Sequence, residues 1–183
     1  MELVKNKIYF KNLIIMMVVW SFGSFGYFMI PYYLETLNGN VFVFVIATAL
    51  AEILAAITVF IALKWLNLKV ALIVFCLISA GASIFMVFFG NGTGPLVACL
   101  MLFANFGVVS TFDVAYLINI ELFPTIFLAT AYGCCNILGR FISILSPLIA
   151  RVEHPYPMII LVVYAGISAI LAFFLTRVKA KSV

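Results

Sequence analysis

Apolar and polar positions along this chain alternate on a long scale, giving six apolar runs at about 12–34, 41–63, 70–90, 95–118, 126–149 and 157–176. Each is close to or above the roughly 20 residues that an α-helix needs to cross a bilayer. Hydrocarbon offers no partner to a free backbone N–H or C=O. A spanning segment must therefore close its hydrogen bonds internally, and each run predicts a helix. The connections fall around Asn38-Gly39-Asn40, Lys64 to Lys69, Asn91-Gly92-Thr93-Gly94, Glu121 to Thr125 and Arg151 to Pro157. Turns this short predict an antiparallel bundle. The expected fold is an all-α membrane protein of six transmembrane helices, with a basic leader at 1–11, the bundle at 12–177 and a basic tail at 178–183.

Composition strengthens that picture. With 67% hydrophobic and 9% charged residues, the chain has too little polar side chain to cover a water-soluble globule. Six spans use nearly all of the 183 residues, so no room remains for a soluble catalytic domain. No Gly-rich phosphate loop, Ser-His-Asp set or metal-ligand cluster appears, and the expectation is no enzyme, no cofactor and no metal. Cys76, Cys99, Cys134 and Cys135 lie inside apolar runs with neither zinc nor redox spacing, and read as small packing residues. No small-residue cleavage site follows the first run, so a removable signal peptide is not expected.

Charge supplies the orientation. Lys5, Lys7 and Lys11 precede the first run, Lys64 and Lys69 lie between the second and third, and Arg177, Lys179 and Lys181 follow the sixth. All fall on one face of a six-span bundle. The opposite face carries only Arg151, beside Glu153, so the positive-inside rule places both termini in the cytosol or its organellar equivalent. The pattern does not separate a plasma membrane from an organelle's inner membrane. The net charge of +4 is thus first a topology signal and second an attraction for anionic lipid, and needs no nucleic acid. Asn91-Gly92-Thr93 is a glycosylation sequon that hugs the membrane on the outer face, where use is not expected.

The chemistry concentrates in 110–147, which holds Asp113 and Arg140 inside apolar runs. A charge at membrane depth costs roughly 2.5 to 3.5 kcal/mol on insertion scales, so each needs a partner or a function. Glu52 lies about 11 residues, roughly 16 Å, below the outer end of the second run, while Arg140 stands roughly 21 Å and Asp113 roughly 12 Å above the inner turn. By depth Glu52 suits Arg140 better than Asp113 does. Two readings stand: a carboxylate and Arg140 neutralise each other and pin the bundle, or these residues line a substrate or ion path. In the first run, Gly23 and Gly26 permit close helix approach, and Pro31 is expected to bend or break the helix near its end. Trp20 and Tyr27 belong either to a packing face or to a pore wall. Asn105, Asn119 and Asn136 are expected to bond across helices, and His154 to be a solvated loop residue.

Several of these residues resemble a known family. Glu121-Leu122-Phe123-Pro124-Thr125, with Gly133 and Arg140 at the matching spacings and Ser146-Pro147 closing the run, resembles helices ten and eleven of the organic ion transporter branch of the major facilitator superfamily. Trp20, Ser24, Phe25 and Tyr27 are similar to the W-x-x-x-S-F-x-Y pattern of its seventh helix, and Ala51 to Ala55 to the start of its eighth. The resemblance implies the C-terminal half of a twelve-helix carrier, made of two inverted three-helix repeats, with Tyr27, Asp113 and Arg140 facing a cavity shared with a second half. The position of Arg140 resembles one that is basic in anion carriers, which implies an organic anion as substrate. Glu121, Pro124 and Thr125, with Lys64 and Lys69, would form the cytoplasmic turn and latch. The chain departs from the family at Leu128, at Leu66-Asn67-Leu68-Lys69, at Ala56 and at Thr176-Arg177, which leaves that latch short of arginines. The implied function is a half-carrier needing a second six-helix half. The alternative is a transporter-derived structural subunit of a large membrane complex.

Overall fold

The computed structural model describes residues 7–36, 41–90 and 95–176. Lys5, Arg177, Lys179, Lys181, the Asn38-Gly39-Asn40 turn and the Asn91 sequon lie outside them. The elements are α1 (Lys7–Leu34), α2 (Val41–Trp65), α3 (Leu68–Phe89), α4 (Pro95–Leu122), α5 (Thr125–Ser143), α6 (Ser146–Ala150) and α7 (Tyr156–Phe173), with no strand among the described residues. Among the described residues, six segments are long and apolar enough to cross a membrane, with α5 and α6 together forming the fifth.

That fifth span departs from the single helix expected over 126–149. Ile144 and Leu145 keep right-handed helical backbone angles, but the hydrogen-bond pattern tightens there, Leu145 N–H donating to the Ile142 carbonyl at 3.0 Å. Pro147 supplies the reason: a proline within a continuous helix would lose its own N–H bond and press its ring on the carbonyl four residues earlier, here that of Ser143. The break instead places Pro147 in the first turn of α6, where it is tolerated. Pro31 does not act in this way. α1 runs past it to Leu34, so close to the helix end that little of the hydrogen-bond ladder is affected.

Packing follows two matching patterns. α1 lies along α5 as α4 lies along α2, α1 and α4 cross at the centre, and α3 packs against α4 and α7. Of consecutive spans, only α3 and α4 share an extensive contact. Spans one to three and four to six are therefore corresponding sets, inverted because each contains an odd number of crossings, as in half of a major facilitator fold. Small residues set the closest approaches. A Cβ built on Gly23 would lie 2.7 Å from the Phe112 ring, one on Gly26 would lie 2.9 Å from Val108, and one on Gly107 would lie 2.5 Å from the backbone nitrogen of Ser79. Gly23 and Gly26 thus bring α1 onto α4 as expected, and Gly107 does the same for α4 on α3.

The interior has two apolar clusters. One, toward the end where α1 begins and α7 ends, includes Met16, Val19, Leu72 and Ile118. The other, toward the far end, includes Phe22, Met29, Met101 and Leu161. Between them runs a belt of buried hydroxyls, Ser21, Ser79, Ser110, Thr111 and Ser168. Ser21 Oγ lies 2.6 Å from Tyr164 Oη, and Thr111 donates to the Gly107 carbonyl at 2.7 Å.

Candidate functional site

The site begins with the seam between α1 and α5. Gly139 lets α5 settle against Trp20 and Ser24, Ser24 Oγ bonds Ser143 Oγ at 2.7 Å, and Ser146 Oγ donates to the Phe25 carbonyl at 3.1 Å. These contacts fix the rotation of α5, so Arg140 stands over the Phe28 ring with its guanidinium carbon 5.7 Å from the centroid. A cation over an aromatic face gains about 0.5 to 2 kcal/mol, depending on its exposure. That leaves the guanidinium's hydrogen-bonding edge without an acidic partner among the described residues.

Arg140 is exposed on the chain's own surface and lines three adjoining hollows. The most enclosed, of about 100 Å³, is walled by Ser24, Tyr27 and Phe28 of α1, Phe112 and Tyr116 of α4, and Asn136 of α5. The other two, of about 330 and 260 Å³, extend over Phe141 and Ile144 and over Tyr32 and Pro147. Tyr27 is 39% exposed, with its ring edge-on to Phe28 at 5.4 Å. Asn136 Nδ2 donates to the Tyr132 carbonyl of its own helix at 3.0 Å, so it does not bond across helices.

Trp20 sits behind this wall. It is 1% exposed and packed on Tyr116, Phe112 and Tyr132 at 4.2, 5.2 and 5.5 Å between ring centroids. Its side chain supports the aromatic wall from the rear. Tyr132 closes the same cluster by donating to the Tyr116 carbonyl at 2.6 Å, which ties α5 to α4.

The carboxylates stand elsewhere. Asp113 is half-buried on α4, and its charged neighbour is Glu52, exposed on α2. Neither forms an ion pair with Arg140 among the described residues, so the pinning pair weighed from depth alone is not formed. The reason is lateral: α2 lies along α4 and α5 lies along α1, putting Glu52 and Arg140 on opposite flanks of the central pair. Depth along the membrane normal carries no information about that separation. Nearby, Asn105 does bond across helices, donating to the Thr48 carbonyl at 3.2 Å, while buried Asn119 has no nitrogen or oxygen hydrogen-bond partner among the described residues and faces the Cys135 thiol.

At the end where α4 turns into α5, Leu122 and Phe123 are buried, and the Pro124 carbonyl accepts from Phe127 and Leu128 N–H at 2.9 and 3.0 Å, starting α5 at Thr125. Glu121 lies in the last turn of α4. Lys69 donates to the Leu175 carbonyl at 2.9 Å and lies over Phe173, and Lys64 lies over Phe60, each 5.3 Å from the ring.

His154 is the clearest correction to the sequence reading. It is half-buried, its Nδ1 lies 2.7 Å from the hydroxyl of Tyr33, and its Nε2 is buried without a hydrogen-bond partner among the described residues. The short far-end loop packs the imidazole against Gly90, where a Cβ would lie 2.5 Å from its Cε1. A polar loop composition suggested solvation, but a loop this short cannot hold the ring away from the helix ends.

Fold and site together define a membrane-embedded helical bundle with a solute-carrier architecture. No protein-family model matches the chain. It is 30% identical to a solute carrier family 22 member 15-like protein of Xenopus tropicalis over 189 aligned residues, which cover 100% of this chain and 39% of that protein. It is 26% identical to human organic cation/carnitine transporter 2, covering 88% of this chain and 30% of the relative, and 25% identical to rat organic anion transporter 3, covering 86% and 30%. The chain thus has homologues among the organic cation and anion transporters of the major facilitator superfamily, matched over 86% or more of its length. It spans about two fifths or less of the length of these relatives.

Proposed function

We propose that this chain forms one half of an organic-ion carrier, that a second six-helix bundle covers the face bearing Tyr27, Arg140 and Glu52, and that the ion moved is an anion. One observation carries this reading. Arg140 is a permanent cation within a membrane span, exposed among three hollows, with an aromatic face but no acidic partner among the described residues. A cation so placed against lipid alone costs roughly 2.5 to 3.5 kcal/mol, a cost offset when a second bundle and an anionic solute enclose it. Its relatives' names include both cation and anion transporters, so the sign of the substrate rests on Arg140.

Asp113 and Glu52 then line the opposite flank of the same cavity, with Tyr27 at its rim and Trp20 bracing its wall. The turn from Glu121 through Pro124 to Thr125, anchored by Leu122 and Phe123, carries the motion of α5 relative to α4, and Lys64 and Lys69 brace the same end. Both termini face the cytosol or its organellar equivalent, following the basic residues of that end.

The test is uptake into proteoliposomes holding the chain with its co-purifying partner, using benzoate as the anionic probe and tetramethylammonium as the cationic one. Saturable benzoate uptake is expected, with Arg140→Gln weakening apparent affinity at least about tenfold, because a charge-assisted hydrogen bond contributes about 1.5 to 3 kcal/mol. Arg140→Lys is expected to restore part of the loss. Unchanged uptake in Arg140→Gln, or a preference for tetramethylammonium, rejects the anion assignment.

A further inference from the structure

We infer a selective site for an anionic phospholipid at the end of the bundle that carries the N-terminal turn of α1 and the C-terminal end of α7, away from the Arg140 hollows and independent of transport. A groove of about 420 Å³ runs there between the two helices. Its walls are apolar, formed by Phe10, Ile14 and Ile15 of α1 with Leu171 and Phe174, and Lys7 and Lys11 stand on its rim. The volume falls within the size range of small-molecule clefts.

The groove is a built feature. Asn12 is fully buried and clasps the chain just after α7 with two reciprocal bonds: its Nδ2 donates to the Thr176 carbonyl at 2.8 Å, and Thr176 N–H donates to its Oδ1 at 3.2 Å. Lys69 adds a third tie by donating to the Leu175 carbonyl at 2.9 Å. The Asn12 bonds hold the α7 end against α1, the Lys69 bond ties it to α3, and together they keep the cleft open beside it. Lys11 Nζ lies 5.8 Å from the Phe174 ring centroid, which swings the ammonium over the mouth of the groove.

The occupant follows from the chemistry of the walls and rim. Among the described residues, the walls offer no hydrogen-bonding side chain to a polar solute, the rim is purely cationic, and no acidic residue lines the groove. An acyl chain in the cleft with its phosphate at Lys7 and Lys11 satisfies both, and basic pockets between spans at one membrane face bind anionic headgroups by this logic. A neutral lipid satisfies only the apolar half. A free phosphate satisfies only the rim.

Native mass spectrometry of the full chain, with added dioleoyl-phosphatidylglycerol or dioleoyl-phosphatidylcholine, tests the site. The wild type is expected to retain one phosphatidylglycerol with about thirtyfold preference, the equivalent of about 1 kcal/mol from each of two lysines. Lys7→Gln/Lys11→Gln is expected to bring the two lipids to near parity. Ile14→Trp, which fills the cleft while keeping both lysines, is expected to lose retention of either lipid. Lys64→Gln removes a charge from the same end but outside the groove, and is expected to keep the preference. Equal retention of the two lipids by the wild type overturns the proposal, a comparison that needs no variant. So does an equal loss of preference in Lys64→Gln, which would mark an effect of net charge, or full displacement of the lipid by millimolar inorganic phosphate.

Discussion

Gly107 shows how much of this bundle depends on single missing atoms. A methyl group there would press on the backbone of Ser79, which cannot move aside as a side-chain tip can. Gly107→Ala is therefore expected to destabilise the protein by about 1 to 3 kcal/mol, read as a lowered melting temperature in detergent. Gly81, with nothing within 4 Å of a built Cβ, is the control: Gly81→Ala should be neutral or stabilising by up to about 1 kcal/mol through helix propensity. Residue roles differed in how far the sequence exposed them. Gly23 and Gly26 were legible, because small residues in a spanning run have few other uses. Asn12 was not, since its partner Thr176 is 164 positions away and no local pattern links them. The likeness of Arg140 to a carrier position was legible, but its neighbours Phe28, Tyr116 and Ser24 required the rotation that the α1–α5 seam imposes.

Among the elements, the far-end loop before α7 carries the sharpest expectation. Tyr33 is 1% exposed and bonds His154, so the loop is clamped to α1 through one buried polar contact. Tyr33→Phe keeps the ring and removes the hydroxyl, leaving His154 Nδ1 without the partner it has among the described residues. The expected cost is about 1 to 3 kcal/mol, measured as lost thermal stability together with faster hydrogen exchange over 151–157. No change in either quantity would show that water replaces the hydroxyl at no cost. Existence and order of the spans were readable from the apolar runs, because lipid permits so few alternatives. The division of the fifth span was not read, although Pro147 was visible. Whether a proline bends, breaks or merely ends a helix depends on what anchors either side, and the Ser146 bond to Phe25 belongs to tertiary structure.

At the scale of the whole molecule, large apolar side chains are exposed on all six spans, so apolarity alone cannot separate a lipid face from a partner face. Ile137 on α5 and Val163 on α7 are 62% and 54% exposed. If a second bundle covers the Arg140 face, Ile137→Cys should form an intermolecular cross-link in native membranes with a short bis-maleimide, while Val163→Cys should not. Cross-linking at both or at neither position would contradict that assignment of faces. The pairing of α1 with α5 and of α4 with α2 also bears on how the protein is made. Most consecutive spans give each other little support, so helices emerging one by one from a ribosome meet no lasting neighbour on arrival. α1, whose principal partner is α5, must wait in the bilayer until α5 brings Ser143 to Ser24 and the end of α7 brings Thr176 to Asn12. Helix association in a membrane gains little from hydrophobicity, and distant contacts reward closure only after it occurs. Biogenesis of this bundle is therefore a late, collective event, exposed until the last crossing is in place to whatever quality control surveys the membrane.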